Sequence, residues 1–335
     1  MNRSATPSHQ WTRRRAGAAA AIFLAFAVGT RAEDWPTRPV TMVVPYAAGG
    51  PVDVLGRIMA QRLGEILGQP VLIENVTGAG GMTGTNRVAR AANDGYQFVL
   101  GGVGTIAFIP SLFKKPLYNP VADFEPVGLI TEQPLVLLAR KDLPANNLQE
   151  FIAYARAHQA KIQFGSGGAG SGNHLACVLL NAAIGVDITH IPHRGAVYAA
   201  SDLMAGRLDY MCDSMSTALP QIEGDTVKAL AVLTRDRSSR LPNLATAHEQ
   251  GLTDFSVSIW NALFLPKGAP EAIVRRLHDA ANEAVDTPQL RARLDSLGVS
   301  VVPPERRSTA YLAPFVASEI AKWAGPIKAS GATIE

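Results

Sequence analysis

The 335-residue sequence has little cysteine: two residues, Cys177 and Cys212. That excludes a disulfide-dense small scaffold, and with no partners at ligand spacing it also excludes a structural zinc site. One cysteine falls on a helical pattern and the other on a strand-like run, so two buried thiols are favoured over a disulfide. Acidic side chains are missing from the first 32 residues, which carry five of the 31 basic ones: Arg3, Arg13, Arg14, Arg15 and Arg31. Without that segment 26 basic side chains face 28 acidic ones, a net charge of −2, so the overall +3 makes no case for a nucleic-acid partner.

A long hydrophobic run is missing too. The apolar stretch 16–28 is too short to cross a bilayer core of about 30 Å as a helix, which favours a secretory leader over an anchor. It follows three arginines and precedes Thr30-Arg31-Ala32, a small-x-small cleavage pattern. Residues 1–32 are therefore expected to be a signal peptide, removed after Ala32 to leave a periplasmic protein. No cysteine lies near that point, which excludes lipid attachment there. The twin arginines behind Thr12 leave general secretion and export in the folded state both open.

What is present is alternation. The chain exceeds one ordinary core, and two units of roughly 100–200 residues are expected. VTMVVP, PVLIEN, QFVLGG and PVGLI form a first series of strand-like runs, with Leu55, Ile58, Met59, Leu63, Ile66 and Leu67 at helical spacing between the first two. KIQFGSG, ITHIPH, RLDYMCDS and VKALAVL form a second, with helices predicted over 175–184, 196–205 and 218–223. Each series supplies a mostly parallel sheet flanked by helices. The extended stretches PLVLLARKDL (134–143) and FSVSIWNALFLP (255–266) bracket the second series and read as two crossings between lobes. The predicted architecture is α/β and two-lobed: 33–133 plus 257–335 form a discontinuous first lobe and 134–256 a second, with a ligand cleft between them.

Glycine-rich turns stand where such sheets hold ligands, beyond the carboxyl ends of strands. In VPYAAGGPVDVLGR, residues Ala47, Ala48, Gly49 and Gly50 offer main chain rather than side chains, and the amides of the helix that follows favour an anion. Asp53 in its first turn caps that helix and complements the dipole. FGSGGAGSGNH (164–174) repeats the device. Ser166, Ser171 and Asn173 can donate to a carboxylate, Arg194 can add charge if it points inward, and Ser171 or Asn173 can equally cap the helix beginning near His174. Thr105 fits a helix cap or a ligand donor. NVTGAGGMTGTN (75–86) is a third such turn, a tight connection or a contact surface.

Catalytic readings find less support. Gly165, Gly167 and Gly170 satisfy G-x-G-x-x-G, but the next strand ends in His193 and Arg194 instead of the acidic residue a ribose requires. Neither Ser166 nor Ser171 has glycines two residues away on both sides, so the nucleophile elbow is missing. Ser171, His174 and Asp213 are three polar residues near a cleft, weak grounds for a triad. His190 and His193 fall on opposite faces of a strand, which disfavours a shared metal. No cofactor, metal or catalytic group is expected; an exported Ser/His hydrolase or nucleotide-dependent oxidoreductase is the alternative.

Taken in order, these blocks resemble the periplasmic solute receptors of the tripartite tricarboxylate transporter type, the Bug family, over about residues 35–330. WPTRPVTMVVPYAAGGPVDVLGR is similar to the family's opening strand and first loop, and GQPVLIENVTGAGGMTGTNRVARAANDGY to its second strand and glycine turn. GTIAFIPSLF, FGSGGAGSGNHLA, HIPHRG, DLMAGRLDYMCDSMSTALP and VKALAVLTRDRSSRLPNLATAHEQG match further blocks. The resemblance implies a type II-like binding protein, not an enzyme. It closes on a small organic acid (a di- or tricarboxylate, an amino acid or an aromatic acid), gripping a carboxylate mainly through main-chain N–H groups of two glycine-rich loops and partly through water. By position it places Tyr46, Ala47, Ala48, Gly49, Gly50 and Asp53 on one side and Ser166, Gly167, Ser171, Gly172 and Asn173 on the other, with Thr105 and Asp213 lining the groove. The expected partner of this monomer is a set of membrane transporter subunits, with signalling to a sensor protein as the alternative output. The sequence departs from the family's usual residues at Ile109, His193, Arg194 and Ser171, which bears on the distal pocket more than on the carboxylate grip.

Overall fold

A computed structural model describes residues 35–335; the predicted signal peptide lies outside them. Strand β1 (Val40–Val44) runs into Pro45 and Tyr46, and the chain turns through Gly49 into helix α1 (Pro51–Leu67). Proline in the first turn starts that helix, and Gly68 in the left-handed region (φ 74°) ends it. Val52, Leu55, Met59, Leu63 and Leu67 recur every three or four residues and are buried as one stripe. Strand β2 (Val71–Asn75), helix α2 (Met82–Ala89) and strand β3 (Gln97–Gly102) complete a parallel β2-β1-β3 set. A wide helical turn, Val103–Phe108, leads into the short α3 (Ile109–Leu112).

The runs PVGLI and PLVLLAR, separate in the sequence reading, belong to one 17-residue strand, β4 (Phe124–Arg140), which ends before the KDL of the predicted extended stretch. After α4 (Leu148–His158) the second series follows as β5 (Gln163–Ser166), α5 (Gly172–Ile184), β6 (Thr189–Pro192), α6 (Ala196–Met204), β7 (Tyr210–Ser214), α7 (Met215–Glu223) and β8 (Val227–Val232). Then come β9 (Ser258–Pro266), α8 (Glu271–Asp286), α9 (Pro288–Ser296), β10 (Ser300–Val301) and α10 (Thr309–Ala329). Phe124 to Pro134 of β4 pairs antiparallel with β9, whereas Leu135 to Arg140 pairs antiparallel with β7 and β8. Pro134 occupies the last pair with Ser258, so its missing N–H falls where one ladder gives way to the other. The strand order is β2-β1-β3-β9-β4-β7-β5-β6, with β8 and β10 also on β4: two mostly parallel halves joined through antiparallel strands.

Helices cover both faces. Along β4, Leu135, Leu137 and Ala139 enter one apolar cluster with Leu175 and Leu180 of α5, while Val136 and Leu138 enter another beneath Ala199, Leu203, Met215 and Leu219 of α6 and α7. That two-residue alternation is what a strand buried on both sides produces. A third cluster packs Leu55, Met59 and Leu63 of α1 with Ile273, Leu277 and Ala281 of α8 over Met42 and Val44. Cys177 and Cys212 form a disulfide, which corrects the expectation of two free thiols. Helix α5 lies across β7 and brings the two Cα atoms to 5.6 Å, within bridging range, although 35 positions separate them in sequence.

Candidate ligand-binding site

Four helices begin at one place. Pro51 and Val52 open α1, Gly172 and Asn173 open α5, Ala196 opens α6, and Ser214 immediately precedes α7; all line a cavity of about 40 Å³. Gly102, Val103 and Gly104 beyond β3, with Ile259 and Asn261 of β9, complete its walls. Among the described lining residues none is Asp, Glu, Lys or Arg. Gly50, Gly195 and Ser214, the N-caps of α1, α6 and α7, make no side-chain cap bond. Gln133 takes one amide of α7, that of Ser216, at 3.2 Å. Ser171 takes one of α5, that of His174. The remaining first-turn amides give the cavity a positive potential, each terminus equivalent to about half an elementary charge, with no cationic side chain in the walls. Such a place binds an anion.

The sequence-predicted residues divide into those that line this cavity and those that hold it. Tyr46, Ala47, Gly50, Gly167, Gly172 and Asn173 line it. Ala48 and Gly49 are exposed at the tip of the first loop. Asp53, 1% exposed, works from behind. Its Oδ2 accepts the Gly49 N–H and the Arg57 Nε–H, each at 2.8 Å, and its Oδ1 accepts the Asn75 amide at 2.9 Å. Asn75 also donates to the Tyr46 carbonyl, which fixes the loop. Burial alone would raise the Asp53 pKa, but the hydrogen bonds from Arg57, Gly49 and Asn75 outweigh it and hold the carboxyl below its ordinary range.

On the other side Ser171 caps α5 by accepting the His174 N–H at 3.3 Å, and Ser166 bonds His190 Nε2 at 2.7 Å. Thr105 folds its hydroxyl back onto Gly102, accepting the N–H at 3.2 Å. Asp213 is fully buried beneath Asn173: Oδ1 accepts the Asn173 amide at 3.1 Å and the Ser214 N–H at 2.9 Å, and Oδ2 accepts the Thr217 hydroxyl at 2.8 Å. Burial pushes its carboxyl up to about 6, against the pull of those three donors. Asp213 thus orients Asn173. Arg194 lines an adjoining hollow of about 370 Å³ that shares Tyr46 and Gly167 with the cavity and extends to Gly78, Gly80 and Gly81.

The triad does not assemble. His174 Nδ1 accepts the Gly170 N–H at 3.2 Å, its ring lies 4.1 Å from that of His190, and Asp213 spends its oxygens on Asn173, Ser214 and Thr217. Burial lowers the His174 pKa to about 4, and burial with the neighbouring histidines lowers His190 to about 3, so both rings are neutral at pH 7.

The glycine turns also meet each other. A Cβ on Gly80 would lie 2.5 Å from the Ala169 carbonyl oxygen, so the 75–86 turn is a contact surface against the second glycine loop. Asn261, Ser214 and the Val103-Gly104 turn escaped sequence reasoning. The one available signal was a lone asparagine inside the apolar run IWNALFLP. A roomier groove of about 650 Å³ between α1 and α9, bordered by Arg57, Arg62 and Arg293, lies at the start of α9 and apart from the four helix N-termini described above.

Residues 55–332 match the family described as "Tripartite tricarboxylate transporter family receptor". The chain belongs to this family. It is similar to BugT of Bordetella pertussis, at 33% identity over 94% of this chain and 97% of that protein. MatC of Rhodopseudomonas palustris, solved with bound malate, superposes with a TM-score of 0.85 at 41% identity, covering 88% of this chain and all of that one. A second R. palustris protein, solved with adipate, gives 0.84 at 32% identity over 90% of this chain and all of that one. As a receptor of the tripartite tricarboxylate transporter family the chain is a solute-binding protein and not an enzyme.

Proposed function

We propose that this receptor captures a small organic carboxylate by closing two lobes over it and hands it to transporter subunits in the membrane. The observation that carries the reading is the convergence of four helix N-termini on one cavity whose walls hold no charged side chain. Main-chain donors fixed before the ligand arrives bind a carboxylate with little reorganisation. The malate and adipate in the structures of two relatives support that ligand class. The lobes are 33–133 plus 257–335 and 134–256. The change of partner on β4 between Pro134 and Leu135 supports a hinge there, and the contact of Gly80 with Ala169 corresponds to the closed form. Removal of residues 1–32 would leave the receptor in the periplasm.

The test is a thermal-shift screen of the purified chain 33–335 against di- and tricarboxylates, amino acids and aromatic acids. A ligand at 100 times its Kd stabilises the folded state by about 2.7 kcal/mol, so a cognate acid raises the melting temperature by several degrees. A cooperatively folded protein that shows no shift with any carboxylate overturns the reading.

A further inference from the structure

Asn261 stands in the middle of β9, paired in register with Gly102 of β3 on one side and Thr131 of β4 on the other. It lines the cavity and is 2% exposed, yet its Oδ1 is buried with no hydrogen-bond partner among the described residues. The space beside the carboxamide depends on glycine: a Cβ on Gly102 would lie 3.0 Å from Nδ2. Thr131, the cross-strand neighbour, is fully buried with its own hydroxyl unpaired, so it does not tie the amide down from behind. A buried carbonyl oxygen without a donor is costly, and a binding protein accommodates one where the ligand completes it.

A carboxylate cannot be that donor, because an ionised carboxyl group only accepts. The donor is another group on the same molecule, a hydroxyl or an ammonium. Electrostatics separates the two. The helix N-termini make the cavity positive, no acidic side chain lines it, and the two carboxylates one residue behind its walls are both spent on the protein: Asp53 on Gly49, Arg57 and Asn75, and Asp213 on Asn173, Ser214 and Thr217. An ammonium would lose its hydration among like partial charges, whereas a neutral hydroxyl has no net charge to be repelled and is desolvated at lower cost. The volume of about 40 Å³ has room for about three waters, so even a four-carbon acid needs the two sides to part around it, and the smallest skeletons need the least.

Resting on the carboxylate reading of this cavity, we propose that Asn261 is a specificity-determining residue for a short hydroxy acid: its Oδ1 accepts the ligand's hydroxyl proton. The field of the helix ends selects for a carboxylate. Asn261 selects, among carboxylates, the one that carries a hydroxyl.

The experiment is calorimetric titration of the purified chain 33–335 with malate, succinate and aspartate, four-carbon diacids that differ at one carbon. Malate is expected to bind about tenfold or more tightly than either of the others, because a site built around a hydrogen bond rejects the analogue that lacks it. Asn261→Ala should bring malate to the affinity of succinate and leave succinate within about threefold, with an unchanged melting temperature; Asn261→Ser, which keeps an acceptor, should restore part of the preference. If the thermal-shift screen returns a different hydroxy acid, that acid and its deoxy analogue take the place of malate and succinate. Equal binding of the hydroxylated and deoxy acids, or a parallel loss of both in Asn261→Ala, overturns the assignment and leaves the carboxylate site standing. Tightest binding of aspartate overturns the choice of hydroxyl, and failure of every acid in the screen overturns the carboxylate reading itself.

Discussion

Gly195 and Ala47 touch across the cleft: a Cβ built on Gly195 would lie 2.5 Å from the Cβ of Ala47. Gly195 caps α6 with φ 175°, an extended conformation open to any residue, so glycine is there for space and not for backbone freedom. Gly195→Ala should therefore fold normally and wedge the two sides apart. Its ligand affinity, measured by calorimetry, is expected to fall at least tenfold, about 1.4 kcal/mol, with little change in melting temperature. Wild-type affinity would show that the contact plays no part in closure.

The disulfide staples α5 to β7, the two elements whose ends deliver Asn173 and Ser214 to the cavity. For a sequence separation of 35, loop-closure entropy predicts a loss of about 4 kcal/mol in the double variant Cys177→Ala, Cys212→Ala. Urea unfolding followed by circular dichroism measures it. An unchanged midpoint would mean that packing alone holds helix to strand.

Asp53 and Arg57 form an ion pair, and their contributions differ sharply. Arg57 has 55% of its side chain exposed, so Arg57→Ala should cost less than about 1 kcal/mol. Asp53→Ala takes the acceptor from the Gly49 N–H and one of the two acceptors from the Asn75 amide, an expected loss of about 1–3 kcal/mol together with weaker ligand binding as the first loop loosens. Because the folded carboxyl titrates below its ordinary value, this contribution is present at neutral pH and is lost as pH falls through the folded pKa. Denaturant titrations of the two variants at pH 7 compare them directly; equal losses would assign the stabilisation to the ion pair alone.

Asp213 runs the opposite way. Its folded pKa of about 6 lies above the ordinary value of 3.8, so the folded state binds the proton more tightly than the unfolded one. The stabilisation is complete below pH 3.8 and is lost as pH rises through 6, a swing on the order of 3 kcal/mol. Asp213→Asn should remove that slope between pH 4 and 6 in urea titrations, and a profile that keeps the wild-type slope would place the titrating group elsewhere.

The sequence alone determined what depends on neighbouring residues. Leu55, Met59 and Leu63 at helical spacing specify α1 and its buried face, and the glycine-rich turns after β1 and β5 specify two strand ends open to a ligand, because periodicity and backbone freedom are local properties. Only the tertiary structure decided which of the polar residues in those turns line the cavity. Asp53, Asp213, Ser166, Ser171 and Asn173 all spend hydrogen bonds inside their own half, yet of these five only Asn173 lines the cavity. The pairing of Cys177 with Cys212, the continuity of β4 through Pro134 and the placement of Asn261 likewise follow from strand register and helix docking between segments far apart in the chain. Packing at that range is set by the sum of many contacts over both halves, and no short stretch of sequence carries it.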